Sequence, residues 1–140
     1  MKAILFGSIG TLVETSELQR RSFNLAFEEV GLDWYWNTAT YCKLITEPGG
    51  LKRIKNYAEN NLSESEIKKI HTLKETYFAQ LVPETLYLRP TVKEVLHNAR
   101  NMGLKLGFIT TTSQKNIDLI KIGTSKQLDF SIFDLVTTNK

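Results

Sequence analysis

A chain of 140 residues, 41% apolar and carrying a formal charge of +3, can bury one ordinary core and predicts a compact domain with room for a small insertion. Its Lys and Arg residues are scattered along helical segments, which reads as solvated faces and not as a nucleic-acid surface; the slight positive bias also suits an anionic ligand. The lone Cys42 excludes an internal disulfide or a Cys-built metal cage and is expected as a buried helix thiol. No apolar run is long enough for a signal-peptide core or a membrane span, so the expectation is a soluble, cytoplasmic protein without a membrane partner.

The apolar run Lys2 to Phe6 ends at Gly7-Ser8, with Gly10-Thr11-Leu12 close behind. It predicts a buried parallel strand opening into a loop at its carboxyl end, the edge of an open α/β sheet where ligands bind. Ser16 with Gln19 fits a capping box for a helix over 17–30, in which Leu18, Phe23, Ala26, Phe27 and Val30 recur near helical period before Gly31 stops it. Asn37 caps a second predicted helix, Pro48-Gly49-Gly50 breaks it, and Leu51 to Ala58 form a third. Ser63 with Glu66 opens a fourth, whose apolar face is Ile67, Ile70, Leu73, Tyr77 and Leu81. Val82-Pro83 to Arg89-Pro90 reads as a return linker.

Thr91 with Glu94 caps a helix bearing Val92, Val95, Leu96, Ala99 and Met102, stopped by Gly103. Leu104 to Ile109 is a second strand and ends in Thr110-Thr111-Thr112-Ser113. A short helix through Ile117, Ile120 and Ile122 ends at Gly123, and Ile132 to Val136 reads as a third strand. The order predicts an α/β fold: a partial parallel sheet of about three strands with right-handed crossovers and an inserted helical unit. The expected boundaries are residues 1–14 and 86–140 for the α/β core and 15–85 for the helical cap.

The hydroxyls of Thr110 to Ser113 meet a helix start, where orphan amides and the dipole suit a phosphate. On the residues alone, helix capping by Thr112 or Ser113 is the stronger reading. Glu14 and Glu17 read first as helix-dipole partners, Trp34 and Trp36 as packing, and Gly49-Gly50 with Arg53 as a turn and helix start. His71 and His97 read as surface histidines without metal-ligand spacing. Gly7 leaves room for an anion to approach the amides of Ser8, Ile9 and Gly10 as a neutral nest.

The strand with Gly10-Thr11-Leu12 resembles the first motif of the haloacid-dehalogenase-like (HAD) phosphatases, an apolar strand followed by Asp-x-Asp-Gly-Thr-Leu. Glu14 to Arg20, Ser22-Phe23-Asn24, Gly31 to Trp34, Gly49-Gly50, Arg53-Ile54, Leu88-Arg89-Pro90 and Thr110 to Asn116 resemble the CbbY-like branch, sugar-bisphosphate phosphatases related to β-phosphoglucomutase and phosphoglycolate phosphatase. In that branch a His often stands where this chain has Gln19. The resemblance implies a Rossmannoid sheet with an inserted helical cap and a phosphate or substrate set of Ser8, Gly10, Thr11, Glu17, Arg53, Thr110, Thr111 and Asn116, with Arg53 meeting a second phosphate.

The same resemblance locates the departures. Gly7 stands at the nucleophile position and Ile9 at the general acid/base position, so no catalytic residue of that motif is intact. Family chemistry needs one carboxylate to attack phosphorus, a second to shuttle the proton, and Mg²⁺ between them. Gly7 and Ile9 supply none of these, so Mg²⁺ is expected for the family and poorly held here. Ser8 lies between them and points to the other side. The family pattern continues with a Lys motif and paired acids, and Lys140 sits too close to the third strand to be that Lys. Two further strands of the family sheet are expected to be missing, one of them the neighbour of the first strand, whose open edge then invites self-association. Three readings stay open: a catalytically impaired phosphatase homologue, a non-catalytic module that binds a small phosphorylated metabolite, and an amino-terminal fragment of an active enzyme.

Overall fold

The computed structural model describes residues 2–138; the reading of Lys140 lies outside them. The chain divides into two compact units, one made of the residues up to Thr15 with those from Val82 onward, the other of Ser16–Leu81.

The first unit carries a three-stranded parallel sheet in the order β1 (Ala3–Phe6), β2 (Lys105–Phe108), β3 (Leu135–Val136). Ala3 pairs with Lys105 and Phe6 with Phe108, so both strands end at the same level. One sheet face presents Leu106 and Phe108 to Leu96 and Ala99 of α5 (Val92–Asn101) and Ile117 of α6 (Gln114–Thr124), with Leu12, Leu128 and Phe133 closing the core. Phe108, Phe130 and Phe133 pack as a cluster of tilted and edge-on rings. The third strand is shorter than the sequence suggests. Asp129 caps a 3₁₀ turn at Phe130–Ile132, which takes up Ile132 and leaves Phe133 and Asp134 before the strand. Asp134 then ties the strand in: its backbone amide donates to the Leu106 carbonyl (2.8 Å), and its carboxylate accepts from the Leu106 amide (2.9 Å), Arg100 (2.8 Å) and Lys105 (2.9 Å).

The second unit is helical: α1 (Ser16–Glu29), α2 (Thr38–Leu44), α3 (Gly50–Ala58) and most of α4 (Glu64–Thr85). Its core is aromatic, with Phe23, Phe27, Trp36 and Tyr41 buried alongside Ile54, Ile67 and Ile70. Three of the sequence signals hold locally. Gly31 adopts φ +77° and closes α1 as a Schellman motif, its amide bonding to Glu28 and that of Leu32 to Phe27. Asn37 caps α2 through the Thr40 amide, and Ser63 and Glu66 form the reciprocal capping box of α4.

Several expectations are corrected. Ser16 is the first residue of α1 and not its cap. Thr91 has φ +66° and makes no side-chain cap bond, because a left-handed backbone departs from the extended geometry a cap requires. Val95 and Met102 are exposed, since Val92, Leu96 and Ala99 already fill the inward stripe of α5. Cys42 is exposed because Tyr41 takes the inward position on the two-turn α2. His71 is half-buried: its ring lies where a side chain at Gly50 would stand. The buried stripe of α4 runs Ile67, Ile70, Lys74, Phe78, Val82, leaving Leu73, Tyr77 and Leu81 only partly covered. Lys74 is held in that stripe by Glu75 (2.7 Å) and by the ring faces of Phe23 and Phe78.

The predicted return linker is helix in its first four residues, because α4 continues through Pro83 to Thr85. Proline forfeits one helical hydrogen bond, but Val82 and Leu86 are buried against α6. The contact explains Gly123, which does not end α6: a Cβ there would stand 2.8 Å from Val82 Cγ1 and 3.0 Å from both Leu86 Cβ and the Val82 carbonyl oxygen.

Gly-to-Ala substitution inside a helix ordinarily gains stability, but Gly123→Ala should cost about 1–3 kcal/mol by overpacking, read as a lower midpoint in urea unfolding. Asp134 is held down to about 2 by the Leu106 amide, and then by Lys105. Its contribution is therefore complete above its ordinary value near 3.8 and is lost as pH falls from there toward about 2. Asp134→Asn should lower stability at neutral pH and flatten the acid dependence over that interval, measured by chemical unfolding at successive pH values.

Candidate functional site

The loops that leave β1 and β2 emerge side by side at the carboxyl end of the sheet, where open α/β folds bind ligands. After β1 the chain folds tightly on the Ser8 carbonyl, which accepts from the amides of Thr11 (3.3 Å), Leu12 (2.9 Å) and Val13 (3.3 Å). Gly10 makes the reversal with φ +83°, and its amide donates to the Val13 carbonyl at 2.7 Å. That bond removes Gly10 from the nest of three amides expected from the sequence, since the loop must satisfy its own backbone first. Leu12 and Val13 are fully buried, and the Arg89 amide bonds to Leu12, so the loop has an anchored base.

Gly7 is not open space. A Cβ there would stand 3.1 Å from the Thr11 hydroxyl oxygen. Ile9 is exposed and supplies no titratable group. Ser8 is buried, and its hydroxyl finds no hydrogen-bond partner. Residues 7–13 contain no carboxylate, and among the described residues no group of three or more His, Cys, Asp or Glu is placed to hold a metal. The donor set at this strand end does not fit a hard divalent cation, which requires carboxylate or carbonyl oxygens arranged around it.

At the end of β2 the threonines are bonded among themselves. The Thr110 amide donates to the Thr137 hydroxyl (3.3 Å), the Thr112 amide to the Thr110 hydroxyl (3.1 Å), and Asn116 Nδ2 to the Thr112 hydroxyl (3.1 Å). Ser113 caps α6 by accepting from the Asn116 amide. Asn116 Oδ1 is buried without a partner. Thr111 is exposed beside this cluster. Thr137 carries no motif in the sequence, and only the pairing of β3 with β2 brings it to this loop.

Ser8, Gly10, Thr11, Thr110 and Thr111 thus belong to two adjacent loops of one unit, with Asn116 in the first turn of α6 beside them. Glu17 and Arg53 belong to the other unit. Glu17 forms a two-point ion pair with Arg20 (2.6 and 2.9 Å), and the Arg20 hydrogen bond holds its carboxyl below the usual range. Arg20 and Asn24 both bond to the Trp36 backbone, so this network also orders the segment before α2. The Arg53 guanidinium donates to the Leu44 (2.9 Å) and Glu47 (3.0 Å) carbonyls and lies over Phe23 and Tyr41. It clasps the loop from α2 to α3, and a shallow cavity of about 190 Å³ beside it is lined by Lys43, Lys52 and Asn56.

Comparison with known proteins agrees with this geometry. A family profile described as haloacid dehalogenase-like hydrolase matches residues 4–138. Protein CbbY of Rhodobacter capsulatus is 33% identical over 140 residues, covering 97% of this chain and 62% of that protein. Protein CbbY of Cereibacter sphaeroides is 36% identical over 124 residues, covering 86% of this chain and 54% of that protein. The chain therefore spans between about half and three-fifths of the length of these relatives. Crystal structures of CbbY from Rhodobacter sphaeroides, one in complex with phosphate and one of a mutant in complex with xylulose-1,5-bisphosphate, superpose with a TM-score of 0.80 at 34% identity, over 99% of this chain and 63% of theirs. A parallel sheet, a helical unit inserted after its first strand, and relatives of this similarity together establish that the chain belongs to the haloacid dehalogenase-like hydrolase family, in its CbbY-like branch.

Proposed function

We propose that this chain binds a phosphorylated sugar at the two loops of its sheet without hydrolysing it by the family's usual route. The observation that carries the reading is the first loop itself. Gly7 and Ile9 stand where the family uses carboxylates, and the Thr11 hydroxyl already occupies the space beside Gly7. A phosphoryl transfer of this kind needs a nucleophile within reach of phosphorus and an acid for the leaving oxygen. Neither is present on that loop, and the Mg²⁺ that family membership implies finds no carboxylate there.

Binding has independent support. The Thr110–Asn116 cluster lies at the start of α6, an eleven-residue helix whose amino-terminal dipole favours an anion. The exposed Thr111 hydroxyl stands beside it. The relatives' complexes with phosphate and with a sugar bisphosphate indicate the ligand class. In this reading the contributing side chains are Thr11, Thr110, Thr111 and Asn116, while Ser8 contributes its backbone. Glu17 and Arg53 are engaged within the helical unit, with Arg20 and with the Leu44 and Glu47 carbonyls.

Two measurements test the reading. Incubation of a sugar bisphosphate with the chain and Mg²⁺ should release no phosphate above background, while calorimetry detects binding that Thr110→Val weakens; Mg²⁺-dependent turnover would overturn it. Gly7→Asp with Ile9→Asp should restore little turnover on its own. Ser8→Ala should leave binding unchanged and raise stability by about 1 kcal/mol, because it removes a buried hydroxyl that has no partner. The alternative, that the sequence is the amino-terminal part of a longer active phosphatase, rests on the share of the relatives' length that it spans. It predicts an in-frame Lys-Pro motif and an acidic pair beyond residue 140.

A further inference from the structure

We infer that Thr137 is a positioning residue for the phosphate loop after β2: its hydroxyl holds the Thr110 amide and so sets which donors that loop presents to an anion. The inference rests on the binding reading above and adds to it a residue from a further segment of the chain. Its placement comes from the sheet. The Thr137 amide donates to the Phe108 carbonyl (2.8 Å), which carries the pairing of β3 with β2 one residue beyond Val136. The Thr137 hydroxyl then accepts from the Thr110 amide (3.3 Å).

That bond is the first link of a relay. The Thr110 hydroxyl accepts from the Thr112 amide (3.1 Å), the Thr112 hydroxyl from Asn116 Nδ2 (3.1 Å), and the Ser113 hydroxyl from the Asn116 amide (3.3 Å). The relay therefore runs from the end of β3 to the first turn of α6. Without the Thr137 hydroxyl, the Thr110 amide loses its partner and the Thr110 side chain is no longer fixed relative to β3.

The polarity of the relay points to its ligand. Thr137, Thr110 and Thr112 each use the hydroxyl oxygen as an acceptor. A hydroxyl that accepts keeps one hydrogen to donate. The Thr111 amide lies between the two tied amides, and among the described residues no group accepts from it. Donors are thus what the loop has left to offer. An ionised phosphoryl group only accepts, so it matches them. Asn116 Oδ1, buried and without a partner, is left to accept from a hydroxyl of the same ligand. Thr137 acts on that ligand through Thr110 and not by touching it.

Calorimetry of the full chain with inorganic phosphate, together with NMR of its backbone amides, tests the assignment. Thr137→Val keeps the branched shape, removes the hydroxyl and should weaken phosphate binding about three- to tenfold, the worth of one hydrogen bond. Thr137→Ser restores the hydroxyl and should bind as the unsubstituted chain does. The Thr110 amide proton should move upfield and exchange faster in the Val variant and not in the Ser variant. Gly123→Ala, which destabilises the same unit from the carboxyl end of α6, should leave phosphate binding unchanged. Should the Val variant not fold, phosphate titration of the unsubstituted chain decides: the Thr110, Thr112 and Thr137 amides should shift along one binding curve, and a Thr137 amide that phosphate leaves unmoved overturns the assignment. Binding that Thr137→Val leaves intact, or that Thr137→Ser weakens equally, overturns the assignment and spares the binding reading. An unsubstituted chain that binds no phosphate overturns both.

Discussion

The parallel pairing of β1 with β2 is the constraint on which the rest of the first unit depends. It aligns Phe6 with Phe108, so the two strands deliver their following loops to one level. It also turns Leu106 and Phe108 toward Leu96, Ala99 and Ile117, where apolar burial of about 25 cal/mol per Å² supplies the stabilisation. Asp134 extends the pairing to β3 by taking the Leu106 amide on its carboxylate. Through β3, Thr137 reaches the loop after β2. One backbone register thus positions the buried core and the candidate phosphate loops together.

That dependence leaves the loop after β1 independent of the side chains at 7 and 9. The loop after β1 is held by its own backbone bonds to the Ser8 carbonyl and by the burial of Leu12 and Val13. None of these interactions uses a side chain at 7 or 9. In an active-site loop, two neighbouring carboxylates repel and must be compensated by a metal; uncharged residues at those positions carry no such cost. The fold of this loop rests on apolar contacts and main-chain bonds.

The helical unit uses polar side chains differently. Arg20, Asn24 and Trp36 form a closed set of hydrogen bonds, and Arg53 serves two backbone carbonyls while lying on aromatic faces. Residues with an evident appeal as ligands therefore also organise the segments around them. A planar guanidinium suits both tasks, because its fork of donors meets carbonyl oxygens as readily as phosphate.

Some local signals were legible in the sequence and others were not: the Ser16 and Thr91 capping boxes do not form as read. Gly31, Asn37 and the Ser63–Glu66 pair act within one helical turn, and each stands in the structure as its spacing indicates. The apolar strands and their parallel order were likewise readable, although β1 has no fully buried residue where its apolar run suggested a buried strand. Gly123 was not, because its role is the approach of Val82 and Leu86 from a segment some forty residues away. Nor was the burial of Lys74, which depends on Phe23 from another helix, or the continuation of α4 through Pro83, where packing outweighs a local breaker. Composition and spacing determined which elements form; tertiary packing alone decided which glycine is a contact and which lysine is core, since each depends on neighbours distant in the chain.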